Sequence, residues 1–211
     1  MISGWFSNLV SNRRERPEAD SEEFEGEAEP RPVDQVIARA LALLIVARRA
    51  TTGERLAATT ELSRHRDVVE LTASETAFLM DEAPSPQSCK QFSWRYEAIV
   101  PLLWSVNLLD KMGSTRETID TATLESILLE NSFEQLIAKA QIRPINLIED
   151  AADELMDALW AIRAGPIALL FPNAREKRPN ASVVVERYYG LNWLRRWNDE
   201  SKGWDGVWLD T

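Results

Sequence analysis

"QFSWRYEAIVPLLW" (residues 91–104) packs two tryptophans, a phenylalanine, a tyrosine and a run of aliphatic residues into one short stretch, yet it also carries Arg95 and Glu97. Read as one helix over about 88–109, it advances 100° per residue, so Phe92, Tyr96, Ile99, Leu103 and Val106 form one stripe. Trp94, Pro101 and Leu108 form a second stripe on the opposite side. A helix that is apolar all round is buried all round, which makes this segment the centre of the fold. Between the stripes, Ser93, Glu97 and Trp104 share one side, and Gln91, Arg95, Ala98 and Leu102 share the other. At that step Arg95 and Glu97 stand about 160° apart and cannot pair with each other. An unpaired charge in a packed interior is strongly disfavoured, so each needs a partner from elsewhere. The candidates for Glu97 are Arg163, Arg187 and Arg39; those for Arg95 are Glu149, Asp150, Asp153, Glu186 and Asp205. The two charges are expected to contact different segments. Pro101 lacks a backbone donor and is expected to bend the helix.

The surrounding sequence supplies what such a helix would pack against. Val36, Ala40, Leu43, Leu44 and Ala47 recur at helical spacing until Thr51-Thr52-Gly53, giving a helix over about 33–51. Thr72 with Glu75 three residues on is a capping box that starts a short helix. Two short helices are expected near 121–130 and 132–140. A long one opens with Pro144 in its first turn and ends near Ala164, before Gly165-Pro166. "NASVVVERYYGLNWLRRW" starts with strand-like valines, but the spacing of Val183, Gly190, Leu194 and Trp197 makes it a helix. The ending "GWDGVWLDT" reads as short and extended. No fixed-period repeat is visible, so the fold class is mainly α: a single multi-helix, non-repeat domain over 33–211. Residues 13–32 hold eight acidic residues, three prolines and almost nothing to bury. Residues 1–32 therefore read as a disordered acidic tail, with "ISGWFSNLV" at its start read first as a loose terminus and second as a short sticky peptide that docks on the domain, a partner or a membrane surface.

Four blocks in order, "QFSWRYEAIVPLLW", "IEDAADELMDALWAIR", "VVVERYYGLNWL" and "WDGVWLDT", resemble an uncharacterised bacterial family, the domain of unknown function DUF4272, over about residues 33–211. The resemblance places Gln91, Ser93, Trp94, Arg95, Glu97, Trp104, Trp160, Arg163, Glu186, Arg187, Asn192, Trp193, Trp204 and Asp205 on the family's pattern. Where that pattern favours Trp-Ala-Leu-Gly, this chain has Trp104-Ser105-Val106-Asn107. The glycine that could permit a close helix approach at that turn is missing. The resemblance implies a fold and no mechanism.

Composition narrows the function. The net charge of −10 offers no excess of positive charge to displace counterions from a nucleic-acid backbone, and it suits a protein partner with a basic face. No stretch of eighteen apolar residues exists, and Val36–Ala47 is short and interrupted by Arg39, so no membrane span is expected. The start has its positive charges after its apolar residues, unlike a secretory signal. Cys89 is the single cysteine, which suits a reducing, cytoplasmic setting. Glu149, Asp150, Asp153, Glu154 and Asp157 form a carboxylate ladder without histidine companions, a solvated face and no metal centre. His65, in "SRHRD", reads as a surface loop residue. There is no Gly-rich phosphate loop, no nucleophile elbow and no zinc spacing, so neither a catalytic residue nor a cofactor is expected.

Two readings remain. The leading one is a non-catalytic, cytoplasmic protein-binding module, with inhibition of a cognate bacterial toxin as one instance and Trp204 and Trp208 as partner anchors. The alternative is an enzyme or small-molecule binder built on a polar pocket of Gln91, Ser93, Trp94, Arg95, Glu97, Trp104, Arg163, Glu186, Arg187, Asn192 and Asp205. Mutually saturated charges would favour the module, and a deep pocket with several of them unpaired would favour the binder.

Overall fold

The computed structural model describes residues 29–163, 179–196 and 200–209. Its helices are α1 (Val33–Thr52), α2 (Arg55–Arg64), α3 (Ala73–Met80), α4 (Pro86–Ser93), α5 (Arg95–Ser105), α6 (Thr121–Leu129), α7 (Phe133–Lys139), α8 (Ile145–Arg163) and α9 (Ala181–Leu194), followed by a 3-10 turn at Glu200–Gly206. No β-strand occurs among the described residues, so the mainly α reading holds. None of these helices is long and apolar enough to cross a membrane. Residues 1–28 and the Gly165-Pro166 stop lie outside the described residues.

α1 is buried nearly all round from Val36 to Ala47 because its apolar residues leave no polar face there. It ends where Gly53 turns left-handed (φ 75°) and donates its N–H to Arg49, a conformation that costs glycine nothing. α4 and α5 pack against one part of α1, and α9 lies between α5 and α8. The capping box is formed: Thr72 Oγ1 accepts from the Glu75 N–H, and Glu75 Oε2 accepts from the Thr72 N–H at 2.9 Å. A second box, Ser132 with Gln135, starts α7.

The central stretch departs from a single helix over 88–109. It divides at Trp94 into α4 and α5, with the Trp94 N–H drawn back to Gln91 and the Glu97 N–H bonded to Trp94. Packing explains the break. Phe92 at the end of α4 stacks on Phe78 of α3, with ring centroids 4.2 Å apart, whereas α5 follows α1 and α9. α5 runs on through Pro101, whose ring is buried against Gly190 of α9. A Cβ at Gly190 would lie 2.8 Å from both the Ala98 carbonyl oxygen and Pro101 Cγ, so the close helix approach occurs here. At Asn107 a different need is met. This residue has φ 58°, its N–H bonds to Trp104, and the Leu108 N–H bonds to Leu103. That is a Schellman cap, and asparagine is among the few non-glycine residues that take its left-handed position readily.

α2 leaves no periodic signal in the sequence, because it buries only Ala58 and leaves Leu56 exposed. Two readings are corrected. His65 is half-buried at the end of α2, with Nε2 3.2 Å from Glu61. The first part of "GWDGVWLDT" coils into the 3-10 turn, which ends at Gly206 before residues 207–209 leave the helix, because Gly203 (φ 54°) kinks the chain and lets Trp204 turn inward.

Candidate functional site

The two charges of the central stretch both find partners on α9. Arg95 Nη1 donates to Glu186 Oε2 at 2.9 Å. Arg187 Nε and Nη2 lie 3.0 and 2.8 Å from Glu97 Oε2. The prediction that they avoid each other holds; the prediction of separate segments does not, since Glu186 and Arg187 are consecutive. Long side chains let positions on opposite sides of α5 reach neighbouring positions of one helix. The second carboxylate oxygen of Glu97 accepts the Ile119 N–H at 2.7 Å, and Arg187 Nη1 donates to the Gly113 and Ser114 carbonyls at 3.3 and 3.1 Å. Arg187 and Glu97 are 1% and 2% exposed, so their pair is desolvated and also fully hydrogen-bonded. Burial pushes the Glu186 carboxyl above the usual carboxylate range, with Arg95 opposing that shift.

Next to this seam lies a cluster centred on Trp204. Its ring is tilted against Tyr189 and Trp193, at centroid distances of 5.0 and 5.7 Å. The Arg39 guanidinium sits 4.9 Å from the Trp204 ring centroid and that of Arg95 5.9 Å, within cation–π range. Tyr189 Oη donates to the Trp204 carbonyl at 2.7 Å, and burial pushes its phenol pKa up to about 12. Arg39 is bound to Glu75, the capping-box residue, which is itself buried. Burial lowers the Arg39 pKa, and Glu75 counters that effect. Arg39 was a candidate partner for Glu97; the fold gives it to Glu75 instead. The signal was an arginine in the apolar run of α1 and a capping-box glutamate in α3. Arg31, in the segment assigned to the tail, lies 4.5 Å over Trp193 and donates from Nε to its carbonyl at 2.8 Å.

The remaining candidates are scattered. Asn192 is buried, donates to the Trp208 carbonyl at 2.8 Å and accepts from Arg195, which also binds Glu149 of α8. Gln91 is exposed, Ser93 donates to the Lys90 carbonyl, and Trp94 marks the helix junction. Trp104 faces Arg143, whose guanidinium lies 4.9 Å from its ring centroid. Arg163 is exposed at the end of α8, with no part in either cluster. The pocket set therefore divides, and only Arg95, Glu97, Glu186 and Arg187 form a unit. Trp204 is 2% exposed, so its ring does not protrude as a partner anchor, because the kink at Gly203 turns it into the core; Trp208 is 61% exposed.

A cleft of about 780 Å³ lies between α1, the α2–α3 connection and the C-terminal turn. Gln35, Arg39, Glu70, Thr72, Trp204 and Asp205 supply its polar and aromatic lining. Asp205 is exposed and accepts from Ser74 Oγ at 3.1 Å. Glu70 is exposed and has no ion-pair partner among the described residues. Arg39 Nε and Trp204 Nε1, both buried, have no acceptor among the described residues, as is also true of Arg49 Nε and Arg95 Nε.

No curated protein and no solved structure matches the chain. The family model for a domain of unknown function, DUF4272, matches residues 18–207, beginning fifteen residues before the resemblance read from the sequence. The chain therefore belongs to the DUF4272 family.

Proposed function

We propose that this protein is a non-catalytic protein-binding module, acting in the cytoplasm on a partner with a basic face. One observation carries the reading: Arg95, Glu97, Glu186 and Arg187 are consumed in two pairs between α5 and α9. A general acid or base must have a proton to exchange and room for a substrate. The Glu97 carboxylate is occupied by Arg187 and the Ile119 N–H, while Arg187 is occupied by Glu97 and two carbonyls. This arrangement supports a clamp, and the net charge of −10 supports a basic partner. Inhibition of a cognate bacterial toxin is one activity of this class.

The test is affinity capture by the full chain from its source cells, followed by association kinetics on the purified partner. A stoichiometric complex should form, and it should assemble more slowly as salt rises from about 0.05 to 0.5 M, because charge steers encounter and salt screens it. Recovery of no protein, together with saturable binding of a metabolite that shields Trp94 or Trp104 from a quencher, would favour the small-molecule alternative.

A further inference from the structure

We propose that the cleft between α1, the α2–α3 connection and the C-terminal turn is where the partner docks, and that it takes a peptide segment bearing arginine or lysine. The proposal rests on the protein-binding reading and assigns it a site. Its first support is charge. Glu70 and Asp205 are exposed at the cleft and have no ion-pair partner among the described residues, while the cation that shares the lining, Arg39, is neutralised by Glu75. An anionic ligand would meet two carboxylates without an ion-pair partner among the described residues. The N-terminus of α3 also borders the cleft and would ordinarily favour an anion, but its capping box already holds the Glu75 carboxylate there.

The second support is hydrogen bonding. Arg39 and Trp204 each line the cleft, each is more than nine-tenths buried, and each holds an N–H without an acceptor. A buried donor left without a partner is costly, because it has given up its hydrogen bonds to water for nothing in return. The site thus combines buried donors without acceptors in its wall with carboxylates that have no ion-pair partner among the described residues at its mouth. A simple cation would satisfy the carboxylates and leave the N–H groups. A basic peptide offers cationic side chains for Glu70 and Asp205, and backbone carbonyls that the wall's N–H groups would meet once Arg39 and Trp204 shift outward on docking. The cleft's volume of about 780 Å³ accommodates a few residues of such a chain.

The experiment is calorimetric titration of the full chain at about 0.05 M salt. The probe is an acetylated, amidated octapeptide of alternating arginine and glycine, with its glutamate–glycine counterpart as control. One saturable site is expected for the arginine peptide and none for the control. The Glu70→Gln/Asp205→Asn variant should bind at least tenfold more weakly. Asp153→Asn/Asp157→Asn, an equal change of charge at exposed positions of α8, should bind within twofold of the parent. All four positions are exposed, and thermal melts establish that both variants are folded. Absence of saturable binding, or equal loss in the two variants, would overturn the proposal. So would spermidine binding as tightly as the peptide, since it lacks the carbonyls. A captured partner that still binds Glu70→Gln/Asp205→Asn at full affinity would overturn the cleft assignment and leave the module reading standing. Cleft-dependent binding of the peptide with no partner recovered would do the reverse.

Discussion

The seam between α5 and α9 and the cleft beside the C-terminal turn are made from the same kinds of residue, and their ends differ. In the seam, each charge of the Glu97–Arg187 pair meets an opposite charge and backbone groups besides. In the cleft, Arg39 and Glu75 satisfy each other, but Glu70, Asp205 and two buried N–H groups remain over. Buried charge is therefore a poor guide to function by itself. Paired charges hold helices together, in the seam even with Arg95 Nε left without an acceptor among the described residues, and exposed carboxylates left without an ion-pair partner at a cleft mark where something else can bind. The seam should respond to substitution with stability, the cleft with affinity.

The largest expected effect is at the centre of the seam. Arg187→Met leaves Glu97 buried without its counter-charge, a loss of about 3–5 kcal/mol. For a domain of this size that lowers Tm by roughly 10 °C. A melt within 2 °C of the parent would mean that the pair holds nothing together. Gly190→Ala comes next. Its methyl would press on a backbone carbonyl and on Pro101, forcing α5 and α9 apart at a cost of about 1–3 kcal/mol. Denaturant titration should show the midpoint fall, and an unchanged midpoint would contradict the close approach.

Asn107→Ala places a Cβ without the asparagine's tolerance at φ 58° and removes the Nδ2 bond to the Gln141 carbonyl. Together these should cost about 1–2 kcal/mol, whereas Asn107→Gly should cost less. Equal stability of the two variants would sharpen the assignment from backbone conformation to the side-chain bond alone. The smallest effect concerns Glu186. Its proton is held more tightly in the folded state, so its contribution to stability is full below the ordinary carboxylate range and is lost as pH rises through the raised value. Glu186→Gln removes that titration. The Tm of the parent should therefore gain on that of the variant as pH falls from neutral towards about 5, and a gain in the opposite direction would contradict the burial of Glu186.

Much of this was legible in the sequence because the relevant signals are local or periodic. The stripes of "QFSWRYEAIVPLLW", the run from Val36 to Ala47, and the Thr72–Glu75 box each report one helix's own geometry. Arg95 and Glu97 could be seen to need separate partners by counting degrees, and Glu186 and Arg187 were among the candidates. What could not be counted was assembly. The break at Trp94 depends on Phe92 meeting Phe78, the pairing of Arg39 with Glu75 depends on how α1 meets α3, and α2 lacks a buried stripe. Trp204 reads as an exposed anchor because its neighbours are glycine and aspartate; one kink at Gly203 buries it. Beyond the same kink Asp205 lines the cleft that Glu70 shares.

The claim that the seam holds the fold while the cleft meets the partner is tested most directly by replacing the buried pair outright. In Glu97→Leu/Arg187→Met both charges are gone, an exchange that apolar residues of similar volume often tolerate. For the folded double variant, calorimetry with the arginine–glycine octapeptide should give a Kd within twofold of the parent. A folded double variant whose Kd rises tenfold or more would contradict the account and return Arg95, Glu97, Glu186 and Arg187 to the binding site.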